Sequence, residues 1–364
     1  VSQRIAVIGA GHLGKIHARL VSQVEGAELV GIAEPTEAAR RAAAEQFNVP
    51  VVAQYRDLIP QIDAAVIAAP TGYHARIATD LLNAGKHVFI EKPLATTPED
   101  AFALVDLAQK KRCTIQVGHV ERFNPAWTAA EDVLVRPKYI EAVRASRFPG
   151  RCLDVGVVMD LMIHDIDLVL SLTDAPLRDV QASGLALVSE HEDMAETRLT
   201  FECGLVANLK ASRVSPTPAR SLQAYTENGF ADFDFSAPSV SILRPDTSLS
   251  DRSFHLDDHT DNPLGFADRL FDALLQTESP EIQPRNAILE ELYDFVISIR
   301  SGVAPTVTGY AGARAVEVAT SVLESIDRRQ WNGSGDAAAR GPHATPVERI
   351  EAASRRVRES RRAA

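Results

Sequence analysis

Cysteine is scarce. The 364-residue chain has three, Cys113, Cys152 and Cys203, and no two stand in a C-x-x-C spacing. Neither a disulfide framework nor a cysteine zinc site is supported. Basic charge is in deficit as well. Lys and Arg number 38 against 49 Asp and Glu, a net charge of −11, which argues against a nucleic-acid surface and against adhesion to anionic membranes. No apolar stretch reaches the roughly 18 residues that span a bilayer. The opening Val1-Ser2-Gln3-Arg4 shows no basic n-region, apolar h-region or cleavage site. These absences predict a cytoplasmic protein with no nucleic-acid and no membrane partner. Disorder is excluded by 45% hydrophobic and 24% charged residues, and the length suggests two domains at roughly 150 residues each.

The first third alternates short apolar runs with amphipathic stretches. Strands are expected at Ile5–Ile8, Leu29–Ala33, Ala64–Ala68, His87–Ile90 and Ile115–Gly118. Helices are expected near Gly14–Gln23, Glu37–Gln46, His74–Ala84 and Pro98–Lys110. Strands separated by helices of about ten residues make βαβ units, hence a parallel sheet with helices on both faces. After residue 120 the rhythm changes. A helix over Pro125–Val135, a strand over Tyr139–Arg147 and a helix over Val158–Leu172 are followed by consecutive strand-like runs. These run over Asp179–Val188, Glu196–Phe201, Leu205–Arg213, Ser221–Thr226, Phe230–Phe235 and Val240–Leu243. Short turns such as Glu227-Asn228-Gly229 between them predict a mostly antiparallel sheet. Helices return at Gly265–Gln276, Asn286–Ser301 and Gly309–Arg328. Residues 331–364 turn to Gly, Ala and Arg and read as a flexible or partly helical tail, with a helix start at Thr345-Pro346-Val347-Glu348.

Gly9-Ala10-Gly11-His12-Leu13-Gly14 is a G-x-G-x-x-G between the first strand and the first helix. The first glycine permits the tight turn, the second lets backbone approach a pyrophosphate, and the third lets helix pack close to strand. The helix N-terminus offers free N–H groups and partial positive charge to the anion. The second strand ends in Glu34, about 20 residues further on, where a carboxylate can accept the adenosine ribose hydroxyls. That carboxylate would repel a 2′-phosphate, and Pro35 and Thr36 supply no adjacent cation, although Arg40 and Arg41 lie one to two turns into the next helix. The expected cofactor is NAD.

Ligands in an open parallel sheet sit beyond the carboxyl ends of the strands. Pro70, Thr71 and His74 follow the third strand, where the loop should wrap the cofactor. Glu91-Lys92-Pro93 follows the fourth. Lys92 could stabilise a developing alkoxide or lower a substrate hydroxyl's pKa, and Glu91 could hold a ribose hydroxyl. The same tripeptide is also an ordinary surface turn. Arg122 and Asn124 end the fifth strand's loop, and Arg122 could meet a substrate anion or simply pair with a surface carboxylate. Asp160 and His164 share one face of a strongly apolar helix. His164 can accept a proton while Asp160 orients it; the alternative is a core histidine paired with an aspartate. Asp160-x-x-x-His164 also has metal-like spacing, but no third ligand is evident, so no metal is expected.

Taken in this order, Gly9-Ala10-Gly11-His12-Leu13-Gly14, Pro70-x-x-x-His74, Glu91-Lys92-Pro93 and Asp160-x-x-x-His164-x-x-Asp167 resemble the glucose–fructose oxidoreductase / inositol dehydrogenase / rhizopine-catabolism family over about residues 3–330. The resemblance implies an α/β protein. An N-terminal Rossmann domain (1–121) of parallel strands would bind NAD. A C-terminal α/β domain (122–330) with a large open, mostly antiparallel sheet would bind substrate and oligomerise as a homodimer or homotetramer. It implies that Lys92 and His164 are catalytic and that Asp160 helps near the substrate. Where many members carry paired glycines ahead of the helix, this chain has Asp154-Val155-Gly156-Val157-Val158-Met159.

Within the family, Val117–Pro125 and Asp160–Asp167 are similar to nucleotide-sugar dehydrogenases that oxidise the sugar 3-hydroxyl. The implied substrate is UDP-N-acetylglucosamine, with its uronate or a free polyol such as inositol as alternatives. A catalytically silent NAD-binding regulator is the rival of a different class. The joint presence of Lys92, Asp160 and His164 speaks against it.

Overall fold

In the first part of the chain, each strand carries a short apolar run. Ala64 to Ile67 and Val88 to Ile90 are fully buried, as befits strands covered on both faces. They belong to a parallel sheet of β1 (Gln3–Ile8), β2 (Ala27–Ala33), β3 (Val51–Val52), β4 (Ala64–Ile67), β5 (His87–Glu91) and β6 (Ile115–Gly118), in the order β3-β2-β1-β4-β5-β6. The helices α1 (His12–Val21), α2 (Glu37–Gln46), α3 (His74–Asn83) and α4 (Pro98–Lys111) alternate with the strands. α4 shows the local logic. Thr97 Oγ1 accepts the Asp100 amide, Pro98 stands in the first turn, acids follow it, and Lys110 and Lys111 close the last turn. The strand order reverses between β1 and β4, which opens a cleft at the strands' carboxyl ends.

The computed structural model describes residues 2–148, 155–255, 266 and 270–328. The chain divides into two units, 1–123 with 285–320, and 124–284 with 321 onward. The sequence reading put residues 122–330 in one domain, yet 285–320 belong to the first unit. The physical reason is the apolar face of α7 (Ala287–Ser301). Leu292, Phe295 and Val296 lie in the same core as Ile5, Val7, Val66 and Phe89. Asn286 Oδ1 caps α7 by accepting the Ile288 and Leu289 amides, and Gly302, at φ 72°, ends it. α8 (Gly309–Arg328) starts against β6, where a Cβ on Gly312 would lie 2.5 Å from Val117 Cγ2. The tail 331–364 lies outside the described residues.

The second unit is built on an eight-stranded sheet: β7 (Tyr139–Ala145), β8 (Leu177–Leu185), β9 (Met194–Phe201), β10 (Val206–Ser212), β11 (Ala219–Thr226), β12 (Gly229–Asp234), β13 (Ser239–Pro245) and β14 (Leu275–Glu278), in the order β14-β13-β12-β11-β7-β10-β9-β8. Pairing is antiparallel except between β7 and β10. Alternation sorts the faces. Ile140, Leu209, Leu222, Phe233 and Ile242 are buried, while Glu141, Lys210, Glu196 and Arg198 are exposed. The buried face is covered by α6 (Ile163–Leu170), which touches β7 and β10. Trp127 of α5 (Pro125–Thr128) packs on Phe233 at 5.5 Å between ring centroids.

Three expected elements differ. The helix over Pro125–Val135 stops at Thr128. The Thr226 hydroxyl and Asn228 amide donate to the Val133 and Asp132 carbonyls, which fixes those residues in a turn. Leu275 and Gln276, expected at a helix end, pair with β13 as the start of β14. The helix expected over Val158–Leu172 begins as a π-helical turn, Val158–Met162, before α6.

A buried ion pair pins α6 to the sheet. Arg144 of β7 is 4% exposed and Asp165 of α6 is 2% exposed. The guanidinium donates from Nη2 at 2.7 Å and from Nε at 3.1 Å to the two carboxylate oxygens, a fork geometry specific to arginine. Removing one partner strands a buried charge. Arg144→Ala is expected to lower stability by about 3–5 kcal/mol, and Arg144→Met with Asp165→Leu to recover most of that. Urea unfolding of the two proteins checks this; a single variant within about 1 kcal/mol of the parent would contradict it.

Candidate active site

The turn from β1 into α1 admits no side chain at two of its glycines. Gly9 has φ 101°, and a Cβ there would lie 2.6 Å from the Ala68 carbonyl oxygen. A Cβ on Gly14 would lie 1.9 Å from the Gly9 carbonyl oxygen. Gly11 differs: a Cβ there meets nothing within 4 Å. Its backbone borders open space, as an approaching ligand requires. No acidic side chain stands in the first turn of α1, and no side chain caps it. Its terminal amides and partial positive charge suit a pyrophosphate. His12 and Leu13 in that first turn are exposed.

Glu34 ties the loop to the end of β2. Its Oε2 accepts the Ala10 amide and its Oε1 the Thr36 amide, both at 2.9 Å. Arg40 donates to the carbonyl oxygens of Glu34 and Pro35, at 2.9 and 2.8 Å, so its guanidinium is engaged with backbone. These features fit a dinucleotide with an unphosphorylated adenosine ribose.

His74 joins the loops after β4 and β5. Its Nε2 meets the Ala69 carbonyl oxygen at 2.8 Å and its Nδ1 that of Pro93 at 2.9 Å. Pro70 and Thr71 form the turn into α3. Glu91, read from sequence as a ribose ligand, is 8% exposed and meets His17 Nε2 at 2.6 Å. Its carboxylate is therefore engaged inside the unit. The His17 bond and the nearby charges of His17, Lys92 and His74 outweigh burial and hold it below the usual carboxylate range. Lys92 follows, half-buried.

In the second unit the segment Val158–Leu170 is buried almost throughout. Asp160, Leu161 and His164 are half-exposed, the last four residues on from the first. A polar pair is thus presented on the accessible stripe of an otherwise covered helix, which suits proton transfer to a ligand better than a core pair. Glu192 holds the start of this segment. Its Oε1 accepts the Val158 amide at 3.1 Å and its carbonyl oxygen accepts the Val157 amide at 3.0 Å. Burial pushes the Glu192 carboxyl up to about 7. A Cβ on Gly156 would fall 2.0 Å from Glu192 Oε1, which accounts for the one glycine kept in Asp154-Val155-Gly156-Val157. Asp154 itself lies outside the described residues. Asp193 accepts the amides of Leu187, Val188 and Ser189 and pairs with Arg213. Those bonds hold its carboxyl far below the usual range despite burial. Arg213 in turn donates to the Val155 carbonyl oxygen.

Lys92 belongs to the first unit, and Asp160 and His164 to the second. Asn124 Oδ1 accepts the Ala126 amide at 3.1 Å and so caps α5. Arg122 Nη2 reaches the Thr306 carbonyl oxygen at 3.5 Å. The sequence reading did not single out His17, Glu291, Arg144 or Glu192. A signal existed for the first two. His17 falls on the buried side of α1, and Glu291 sits beside Leu292 on the face that buries Phe295 one turn on. Among the described residues, one group of three ligand-type atoms lies close enough to hold a metal ion, that of His17, Glu91 and Glu291.

Comparison with known proteins agrees with this geometry. Residues 3–119 match the oxidoreductase family with an NAD-binding Rossmann fold, and residues 136–232 match the GFO/IDH/MocA C-terminal domain. UDP-N-acetylglucosamine 3-dehydrogenase of Acidithiobacillus ferrooxidans is 33% identical over 331 residues, 90% of this chain and 98% of that protein. Its solved structure superposes with a TM-score of 0.78, at 31% identity, over 90% of this chain and 99% of the other. The myo-inositol 2-dehydrogenase of Thermotoga maritima is 25% identical over 90% of this chain and 97% of that protein. A levoglucosan dehydrogenase in complex with NADH shares the fold at 18% identity, with a TM-score of 0.76, over 90% of this chain and 98% of the other. Among the described residues no helix is long and apolar enough to cross a membrane. The Rossmann sheet, its glycine turn and the second unit's open sheet therefore have one explanation: the chain belongs to the Gfo/Idh/MocA family of NAD-dependent oxidoreductases.

Proposed function

We propose that the protein oxidises the 3-hydroxyl of a nucleotide sugar, UDP-N-acetylglucosamine, to the 3-keto sugar. The observation that carries this reading is identity of 33% across 90% of the chain to an enzyme of that name, in a sequence that has Lys92, Asp160 and His164 together. His164 accepts the proton of the ring hydroxyl, Asp160 orients the imidazole, and the Lys92 ammonium stabilises the oxygen as its charge develops. NAD, when bound, supplies the hydride acceptor. The chain's own contribution is positioning and charge placement. Gly9, Gly11 and Gly14 admit the pyrophosphate, and Glu34 favours NAD over its 2′-phosphorylated form. The half-exposed stripe of Asp160 and His164 supports the proton-transfer role.

The outer face of the second unit's sheet supports a homodimer or homotetramer. It holds a shallow cavity of about 350 Å³ lined by Glu141, Val143, Glu196, Arg198, Asn208 and Lys210 among others. Beside it Tyr139, Tyr225 and Phe230 make an aromatic cluster, with centroids 6.0 and 4.6 Å apart, and Tyr225 is 48% exposed. Exposed aromatic residues on such a face are of the kind enriched at subunit contacts, with the charged residues suited to a polar rim.

The direct test is a panel of nucleotide sugars, their uronates and inositols with purified protein and NAD, read as NADH absorbance. Activity on UDP-N-acetylglucosamine is expected; activity on inositol alone would move the substrate and keep the chemistry. Lys92→Met and His164→Ala should each cut turnover by about 10²–10⁴-fold with little change in NAD affinity. Their double variant should lose little more than either alone, since residues acting on one hydroxyl fail as a unit. Normal turnover by Lys92→Met would remove that residue from the mechanism.

Glu34→Ala should weaken NAD binding and narrow the gap to NADP, which fluorescence titration of both cofactors measures. Tighter binding of NADP by the parent protein would contradict the role given to Glu34. Sedimentation at micromolar concentration should show dimer or tetramer; monomer alone would leave the sheet face without its proposed partner.

A further inference from the structure

Three titratable side chains from separate elements meet inside the first unit: His17 of α1, Glu91 at the end of β5, and Glu291 of α7. One ligand-type atom of each lies within 4.8 Å of the others. Their exposures are 0, 8 and 1%. His17 Nε2 and Glu91 Oε1 are 2.6 Å apart. His17 Nδ1 and Glu291 Oε2 have no hydrogen-bond partner among the described residues. The cross-strand neighbour of Glu91 is Gly118, where a Cβ would lie 3.0 Å from Glu91 Oε2. No side chain on β6 at that position pushes the carboxylate aside, and His17 is its hydrogen-bond partner.

Two carboxylates this close in a water-poor interior cannot both be ionised. The short bond to His17 selects Glu91 as the anion, helped by the charges of Lys92 and His74. Burial, then the negative charges of Glu91 and Asp294, push the Glu291 carboxyl well up. Gln116 of β6 also faces the group, donating its side-chain amide to the Glu291 carbonyl oxygen at 2.7 Å. The Glu91 carboxylate then stands as an anion immediately before Lys92 in the chain.

We propose that His17 and Glu291 are positioning residues, which hold the Glu91 carboxylate as an oriented anion next to Lys92 in the chain so that the Lys92 ammonium is held in place. The inference rests on the reading of Lys92 as the group that stabilises the substrate oxygen. It assigns a task to the returning segment 285–320: α7 supplies the neutral acid without which the Glu91 site is incomplete.

The test compares Glu291→Ala and the isosteric Glu291→Gln in the full chain, with kcat and KM followed from pH 6 to about 10, where basic groups begin to titrate. Glu291→Ala should lower kcat about tenfold with KM for the sugar changed less than about twofold, and Glu291→Gln should recover most of the kcat. As pH rises the parent should lose kcat when Glu291 ionises beside Glu91; Glu291→Gln cannot ionise and should hold its rate further into alkaline pH. Equal loss in both variants, or a parent and Glu291→Gln with the same alkaline profile, would overturn the proposal. So would one equivalent of zinc in the purified protein that disappears in Glu291→Gln, since the three groups would then be metal ligands. Urea unfolding against pH reads the cluster with no sugar present, since the parent should lose stability as Glu291 ionises and Glu291→Gln should not. A parent inactive on every sugar would fail the substrate reading alone, while a difference between the two unfolding profiles would still support the cluster and its absence would still overturn it.

Discussion

Two contacts too close for any side chain govern the first unit. Gly9 lies against the Ala68 carbonyl and Gly14 against the Gly9 carbonyl. Together they draw the end of β1, the start of α1 and the end of β4 into one corner. Each glycine costs roughly 0.5–1 kcal/mol of conformational entropy relative to alanine. The return is a helix start that no side chain caps among the described residues. Glu34 then ties the same corner to β2 through the Ala10 amide. The carboxylate expected to read the ribose also braces the loop proposed to meet the pyrophosphate.

The second unit solves a different problem, the placement of polar groups on a helix that is otherwise buried. Arg144 and Asp165 add little net stability beyond a well-packed apolar pair, since desolvation offsets most of their attraction. Their fork geometry has a directional consequence instead. Fixing Asp165 toward β7 sets the rotation of α6, and Asp160, Leu161 and His164 are left on the half-exposed stripe. Glu192 and the Asp193–Arg213 pair fix the other end of the same segment, at Val155 to Val158. Buried charged groups thus decide where the proposed proton acceptor points.

Much of this was legible in the residues. Glu37–Gln46, Ile115–Gly118 and Gly309–Arg328 fall where apolar periodicity and their flanking residues put them. The glycine turn was readable because Gly9 and Gly14 each answer a separate steric demand and Gly11 leaves its backbone open. The early end of α5 was not, because it depends on side chains at Thr226 and Asn228, nearly a hundred residues away. Nor was the strand character of Leu275–Glu278, which comes from pairing with β13 rather than from local propensity. The return of 285–320 to the first unit escaped for the same reason: an apolar helix face does not name the sheet it will cover. Lys92, Asp160 and His164 stood out by their setting. Arg144, which orients the helix of two of them, stood out in nothing until β7 and α6 were adjacent.

The proposed chemistry comes down to one atom: the hydrogen on the sugar's third carbon. UDP-N-acetylglucosamine deuterated at that carbon, incubated with the protein and NAD, tests it by mass spectrometry of both products. One deuterium in each NADH formed, with a 3-keto sugar that has lost the label, is the expected result. NADH without deuterium, or a sugar that keeps the label while NADH accumulates, would contradict oxidation at that position.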